Sequence, residues 1–277
     1  MKTVVLTGAT DGIGKETAEA LLNKNYSLIL LARNQDKAAQ VNAEWLVKYP
    51  SVVIDWIICD LFQPNSIQQA IDQILQKYSV IDMLINNAGG MAFEYKINKN
   101  GVEWTWMVNH VAPFMLTQGL LDALKKSAEA RIINVSSMAH MMGHIDLKNI
   151  NNSSSFSPMK AYSTAKLANI MFTYMMAEKI CGTSVTINCL HPGVVGTSFA
   201  QDKGGLVGKI FKMMRPFILT PKDGAQTTIY LATSSEVTGI NGKYWKKCKQ
   251  AKSSSESYRK NIQQELWQHT ESLIAGF

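Results

Sequence analysis

Short apolar runs alternate with amphipathic stretches along most of the chain. Thr3–Thr7, Ser27–Ala32, Val52–Cys59, Ile81–Ile85, Arg131–Val135 and Ser184–Leu190 are rich in Val, Ile and Leu. They are too short for helices, and several end at Gly, Asp, Asn or Ser, so each predicts a buried strand. Between them, Lys15–Asn25, Asp36–Tyr49, Asn65–Lys77, Gly101–Lys126 and Pro158–Cys181 read as helices, with Pro64 near the start of the third. A further helix is expected at Gly224–Ala232 and a last strand at Gly242–Trp245. Regular strand–helix alternation predicts an α/β protein: a single doubly wound parallel sheet, helices on both faces, ligand at the strands' carboxyl ends. No linker or internal repeat divides the chain, so residues 1–277 read as a single domain ending in a basic extension, 246–277.

The first strand runs into Gly8-Ala9-Thr10-Asp11-Gly12-Ile13-Gly14 and then a helix. Glycines here let the backbone turn sharply and approach a ligand, and the helix N-terminus offers free N–H groups to a diphosphate. Gly8, Thr10, Asp11, Gly12, Ile13 and Gly14 are therefore candidate cofactor residues in a Rossmann-type unit. Arg33 follows the second strand directly, where an acidic residue would suit ribose hydroxyls and an arginine suits a 2′-phosphate. That favours NADP over NAD, although the Asp11 carboxylate argues mildly the other way. Asp60-Leu61 and Asn87-Ala88-Gly89 end the third and fourth strands, where small or polar residues again admit a close ligand.

Tyr162 and Lys166 stand four apart on one predicted helix face. A free phenol titrates near about 10, and an ammonium one turn away favours phenolate, which suits Tyr162 to general acid/base work. Alone, the pair is only a Tyr and a Lys in register. Ser136-Ser137 at the fifth strand's end are candidates for an oxyanion partner or plain turn formers. Asn109, among Met107, Val108, Val111 and Phe114, reads by itself as a satisfied core amide. His140 and His144 lack the intervening Glu and helix of a zinc motif, so no metal site is expected. The apolar and basic segment 199–220 follows a strand-end loop, which favours a substrate lid over a membrane-surface segment.

Net charge is +7, with the excess concentrated near the C-terminus. No nucleic-acid motif accompanies it, so no nucleic-acid partner is expected and the strip reads as solvated surface. Four cysteines without CxxC spacing suit a reducing cytoplasm. No apolar run reaches the roughly 18 residues of a membrane span, so no transmembrane segment is expected, and peripheral membrane contact stays open. No G-x-S-x-G elbow surrounds either serine, which argues against a serine hydrolase.

Together, Thr7-Gly8-x-x-x-Gly12-x-Gly14, Asp60, Asn87-Ala88-Gly89, Asn109, Ser137, Tyr162-x-x-x-Lys166 and Pro192-Gly193-x-x-x-Thr197 resemble the short-chain dehydrogenase/reductase family over nearly the whole length. Leu31-Ala32-Arg33, Val108-Asn109-His110, Asn134-Val135-Ser136-Ser137, His191-Pro192-Gly193-Val194-Val195 and Gly242-Lys243-Tyr244 are most similar to its retinol dehydrogenase-like branch. The resemblance implies an NADP(H)-dependent oxidoreductase interconverting an alcohol and a carbonyl on a small apolar molecule, with a dinucleotide sensor lacking turnover as the alternative. It implies Tyr162 as proton donor or acceptor, Ser137 bonded to the substrate oxygen, and Lys166 on the nicotinamide ribose. Asn109 would position Lys166 through a water. Asp60 and Asn87 would hold the adenosine side and Thr197 the carboxamide, with Leu61, Pro192, Gly193 and Val195 as further cofactor-binding residues. By the same analogy the protein would be a homo-oligomer.

Overall fold

Val4 and Leu6 pack on one face of the central sheet and Val5 on the other, so β1 (Thr3–Thr7) is apolar on both sides. A strand covered by helices on both faces has that continuous pattern. The structure is a computed structural model that describes residues 1–194 and 219–277. Around β1 lie β2 (Ser27–Ala32), β3 (Ile54–Ile58), β4 (Met83–Asn86), β5 (Ala130–Val135), β6 (Val185–His191), β7 (Tyr244–Lys246) and β8 (Lys249–Ala251). Among the described residues the sheet runs β3-β2-β1-β4-β5-β6-β7-β8, parallel except for the last pair. Successive strands step outward from β1 to β3, and the chain then returns to lay β4 against β1's other edge. That reversal leaves a crevice at the carboxyl ends of β1 and β4, where ligands of such sheets bind.

Helices α1 (Gly12–Leu22) and α2 (Gln35–Lys48) cover one face; α3 (Pro64–Lys77) covers the other. On that second face also lie α4 (Trp104–Trp106), a π-turn (Met107–Val111), α5 (Ala112–Lys125) and α6 (Pro158–Lys179). α7 (Pro221–Thr233) returns to the first face, and α8 (Lys260–Ile274) packs on the second.

Three expectations change. The long helix predicted over Gly101–Lys126 begins at Trp104, capped by the Glu103 carboxylate, and widens into the π-turn around Asn109. The last strand continues through a hairpin into β8, because Lys247 and Cys248 both adopt positive φ, 51° and 59°. Two left-handed residues make the turn that matches strand twist, and nothing in Lys-Cys advertises it. The sheet is therefore mostly parallel, with one antiparallel edge strand. The third difference is in the C-terminal segment: α8 buries Ile262, Leu266 and Trp267 against the core and leaves its basic residues outside. Most of the expected lid, residues 199–218, lies outside the described residues.

Candidate active site

One cleft of about 530 Å³ opens at the strand ends and brings most of the sequence-predicted residues together. Gly8, Thr10, Asp11, Gly12, Ile13, Gly14, Arg33, Asp60, Leu61, Asn87, Ala88, Gly89, Tyr162, Lys166 and Pro192 all line it. Asn109, Ser137 and Gly193 each follow a lining residue in sequence: Val108, Ser136 and Pro192. Val195 and Thr197 lie outside the described residues.

The glycine loop is built for a close ligand. A Cβ at Gly14 would collide with the Gly8 carbonyl oxygen and come within 2.5 Å of the Asn87 amide nitrogen. Only glycine lets α1 start that near β1, and its first free N–H groups then face the cleft. Asp11 caps α1, its carboxylate accepting from Gly12 N at 2.7 Å. Asn87, a lining residue, also holds the loop that precedes α1. Its Nδ2 donates to Thr7 O at 2.9 Å and Gly8 O at 3.3 Å, so its amide holds the glycine loop in place. The Thr7 hydroxyl accepts from the main-chain N–H groups of Asn87 and Ala88, at 3.0 and 2.9 Å, tying both loops to one strand end.

Arg33 is exposed at the cleft, and Lys37 lines it beside Asn34. Asn34 caps α2 by accepting from Lys37 N, which sets the lysine in the first turn, on the cleft side. The sequence reading missed Lys37. An Asn cap one residue after Arg33 was the signal that could have found it. Asp60 accepts from Phe62 N at 3.1 Å, which shapes the loop after β3.

On the opposite side of β4, α6 carries Tyr162 and Lys166. Tyr162 is half-buried, with its phenol beside the Ser137 side chain. Burial pushes the phenol up from its ordinary value, and the Ser137 side chain offsets part of the rise. The depression expected from Lys166 does not appear, and desolvation sets the direction. Lys166 is buried, donates from Nζ to Val135 O at 3.0 Å, and is pulled down by burial to about 8. Its ammonium lies 5.6 Å from the Tyr162 ring centre.

The two serines separate cleanly. Ser136 is buried and donates to Lys166 O at 2.8 Å, locking β5 to α6. Ser137 caps the turn Met138–Met142 and is half-buried at the cleft. Asn109, on the π-turn, donates to Gly90 O and Thr105 O, both at 2.7 Å, and accepts from Gly90 N at 3.1 Å. Its amide is therefore spent on main chain. It sets the position of Gly89, where a Cβ would fall 2.6 Å from Asn109 Oδ1 and 2.9 Å from Lys166 Nζ. Two histidines, His140 read from the sequence as a loop residue and His191 as part of a His-Pro-Gly stretch, steady the strand ends. His191 Nδ1 accepts from Met138 N at 3.2 Å and Gly193 N at 3.3 Å, and burial pulls it down to about 4. His140, buried, meets Ser137 O at 2.7 Å.

The donor set fits a dinucleotide: a Cβ-free cradle at a helix N-terminus, cations where a phosphate would end, and a buried ammonium beside a phenol. Comparison with known proteins agrees. A short chain dehydrogenase profile matches residues 2–205. Human retinol dehydrogenase 14 is 36% identical, with 99% of this chain and 86% of that protein covered. Human polyprenol dehydrogenase is 33% identical, with 96% and 83% covered. Among solved structures, an uncharacterised protein from Mycobacterium paratuberculosis is similar at a TM-score of 0.79 and 27% identity, covering 99% of this chain and 94% of that one. L-Sorbose reductase from Gluconobacter frateurii, complexed with NADPH and L-sorbose, matches at TM-score 0.71 and 20% identity, covering 88% and 94%. At that identity the likeness is one of fold.

Proposed function

The chain belongs to the short-chain dehydrogenase family, and from that premise we propose that it is an NADP(H)-dependent oxidoreductase interconverting an alcohol and a carbonyl on a small apolar substrate. The observation that carries this reading is that Tyr162 and the buried Lys166 line one cleft with the glycine loop, the ammonium 5.6 Å from the phenol ring and the Ser137 side chain beside it. When bound, the nicotinamide cofactor supplies or accepts the hydride.

The chain's own residues manage the oxygen and its proton. A phenol raised by burial is protonated at neutral pH, so Tyr162 is a proton donor to a carbonyl oxygen in the reductive direction. Ser137 hydrogen-bonds the same oxygen where negative charge develops. As the phenol gives up its proton, the Lys166 charge nearby favours the phenolate that forms. Gly8, Gly12 and Gly14 would admit the diphosphate, and Asp60 and Leu61, which line the same cleft, would hold the adenosine side.

Arg33 and Lys37 together support NADP over NAD, since two cations lining the cleft suit a 2′-phosphate, against the carboxylates of Asp11 and Asp60 that line it too. Met138, Met141, Met142 and Met159 are exposed on the turns after Ser137 and before Tyr162. Thioether surface beside the reacting centre favours an apolar substrate. The four cysteines are free, which fits the cytoplasm. No helix among the described residues is long and apolar enough to cross a membrane.

The test is a panel of aliphatic, aromatic and isoprenoid aldehydes and ketones, each offered with NADPH and with NADH. Consumption of NADPH on apolar members, at least about tenfold faster than of NADH, is expected. Nucleotide binding with no turnover across the panel would replace an enzyme by a sensor.

A further inference from the structure

The segment after β8 reaches back to the loop that carries Ser137. Ser254 N donates to His140 Nε2 at 3.2 Å. A ring nitrogen that accepts leaves the proton on the other, so His140 Nδ1 donates to Ser137 O at 2.7 Å. The ring is buried, 5.1 Å from the Tyr244 ring on β7. Two residues on, Glu256 Oε1 accepts from Ile145 N at 3.1 Å and pairs with His144 Nδ1 at 2.9 Å. The same segment is anchored to α6, the helix of Tyr162. Tyr174 OH shares a hydrogen bond with Ser253 Oγ at 2.7 Å and stacks on Tyr258.

We propose that residues 253–258 form a strap holding Ser137 in register with Tyr162, and that His140 is the positioning residue that transmits the hold. The strap grips both partners of the proposed centre, α6 directly and the Ser137 loop at two points. A serine loop released from it keeps its cofactor cleft, because none of the cleft's glycine, Arg33 or Asp60 contacts passes through His140. What it loses is the alignment of a hydroxyl with a phenol, and small misplacements of reacting groups are costly in rate. The claim rests on the reading of Ser137 and Tyr162 given above.

The test uses the full-length protein. His140→Phe keeps a ring against Tyr244 and deletes both hydrogen bonds, while His140→Asn keeps a donor for the Ser137 carbonyl. Expected for His140→Phe are a kcat for carbonyl reduction lower by about tenfold or more and an NADPH Kd within about twofold of the parent's. His140→Asn should recover part of kcat. Amide exchange across Met138–Ile145 should quicken in His140→Phe and in Glu256→Ala, which leaves His140 in place and serves if the first variant fails to fold. Parent-like kcat and exchange in these variants overturn the strap, as does a His140→Asn loss equal to that of His140→Phe with NADPH affinity falling in step. Exchange needs no substrate. A parent inactive on every carbonyl would therefore sink the reading of the site, while the exchange data still decide on the strap.

Discussion

Burial, more than charge, sets the chemistry of single residues here. Lys166 and Tyr162 both move toward their neutral forms because α6 carries them into the protein, Lys166 to about 8. Spacing in the sequence revealed that the two share a face. It could not reveal that desolvation would set both shifts, since that depends on what the fold lays over them. Arg33 and Lys37, by contrast, are exposed and line the cleft. Replacing both, as Arg33→Ser with Lys37→Ser, should raise the NADPH Kd by about tenfold to a hundredfold and leave the NADH Kd within about twofold. Equilibrium titration of nucleotide fluorescence measures this directly, and equal weakening of both nucleotides would remove the 2′-phosphate from the argument.

At the scale of elements, the parallel strands were legible because each is apolar on both faces and punctuated at its carboxyl end. Element edges shifted where capping decided them. Asp11 starts α1 three residues before Lys15, and Glu103 delays α4 to Trp104. The π-turn was hidden because Met107–Val111 has ordinary helical composition, and the hairpin to β8 because Lys247-Cys248 carries no glycine or asparagine. These elements also bury neutral histidines. His110, on the π-turn, bonds Thr270 of α8 through Nε2 at 3.0 Å and is pulled down by burial to about 3; His191 is pulled down to about 4, and His140 is lowered too. A histidine whose folded pKa lies below its unfolded value is neutral in both states above about pH 6.5. Below that the unfolded chain takes a proton that the native state refuses, so stability falls with pH, to about 4 for His191 and about 3 for His110. Urea midpoints between pH 7 and pH 4 should therefore drop, by up to about 1.4 kcal/mol per pH unit for each histidine fully engaged. His110→Leu should flatten the slope, and an unchanged slope in that variant would contradict the assignment.

Across the whole molecule, the last thirty residues turn from an appendage into part of the frame. The stretch begins basic and Ser-rich, from Lys249 to Lys260, which is why the sequence suggested a solvated extension. The fold depends instead on the few apolar residues that follow. Trp267 packs on Phe114 of α5 and Phe172 of α6, with ring centres 4.8 and 5.9 Å apart. Trp267→Ala should cost about 3–5 kcal/mol of unfolding free energy, read as a lower denaturant midpoint at unchanged slope. A loss under about 1 kcal/mol would mean that α8 is dispensable to the core. The same helix and the strap before it close over α6, so the candidate site is framed by residues from both ends of the chain. The central claim is that Tyr162 delivers the proton to a substrate oxygen beside a bound dinucleotide. Its most direct test is the kcat of Tyr162→Phe on the best carbonyl of the panel, with the NADPH Kd measured on the same sample. The expected result is a kcat reduced at least about a hundredfold with NADPH affinity within about twofold of the parent's; turnover at the parent's rate would contradict it.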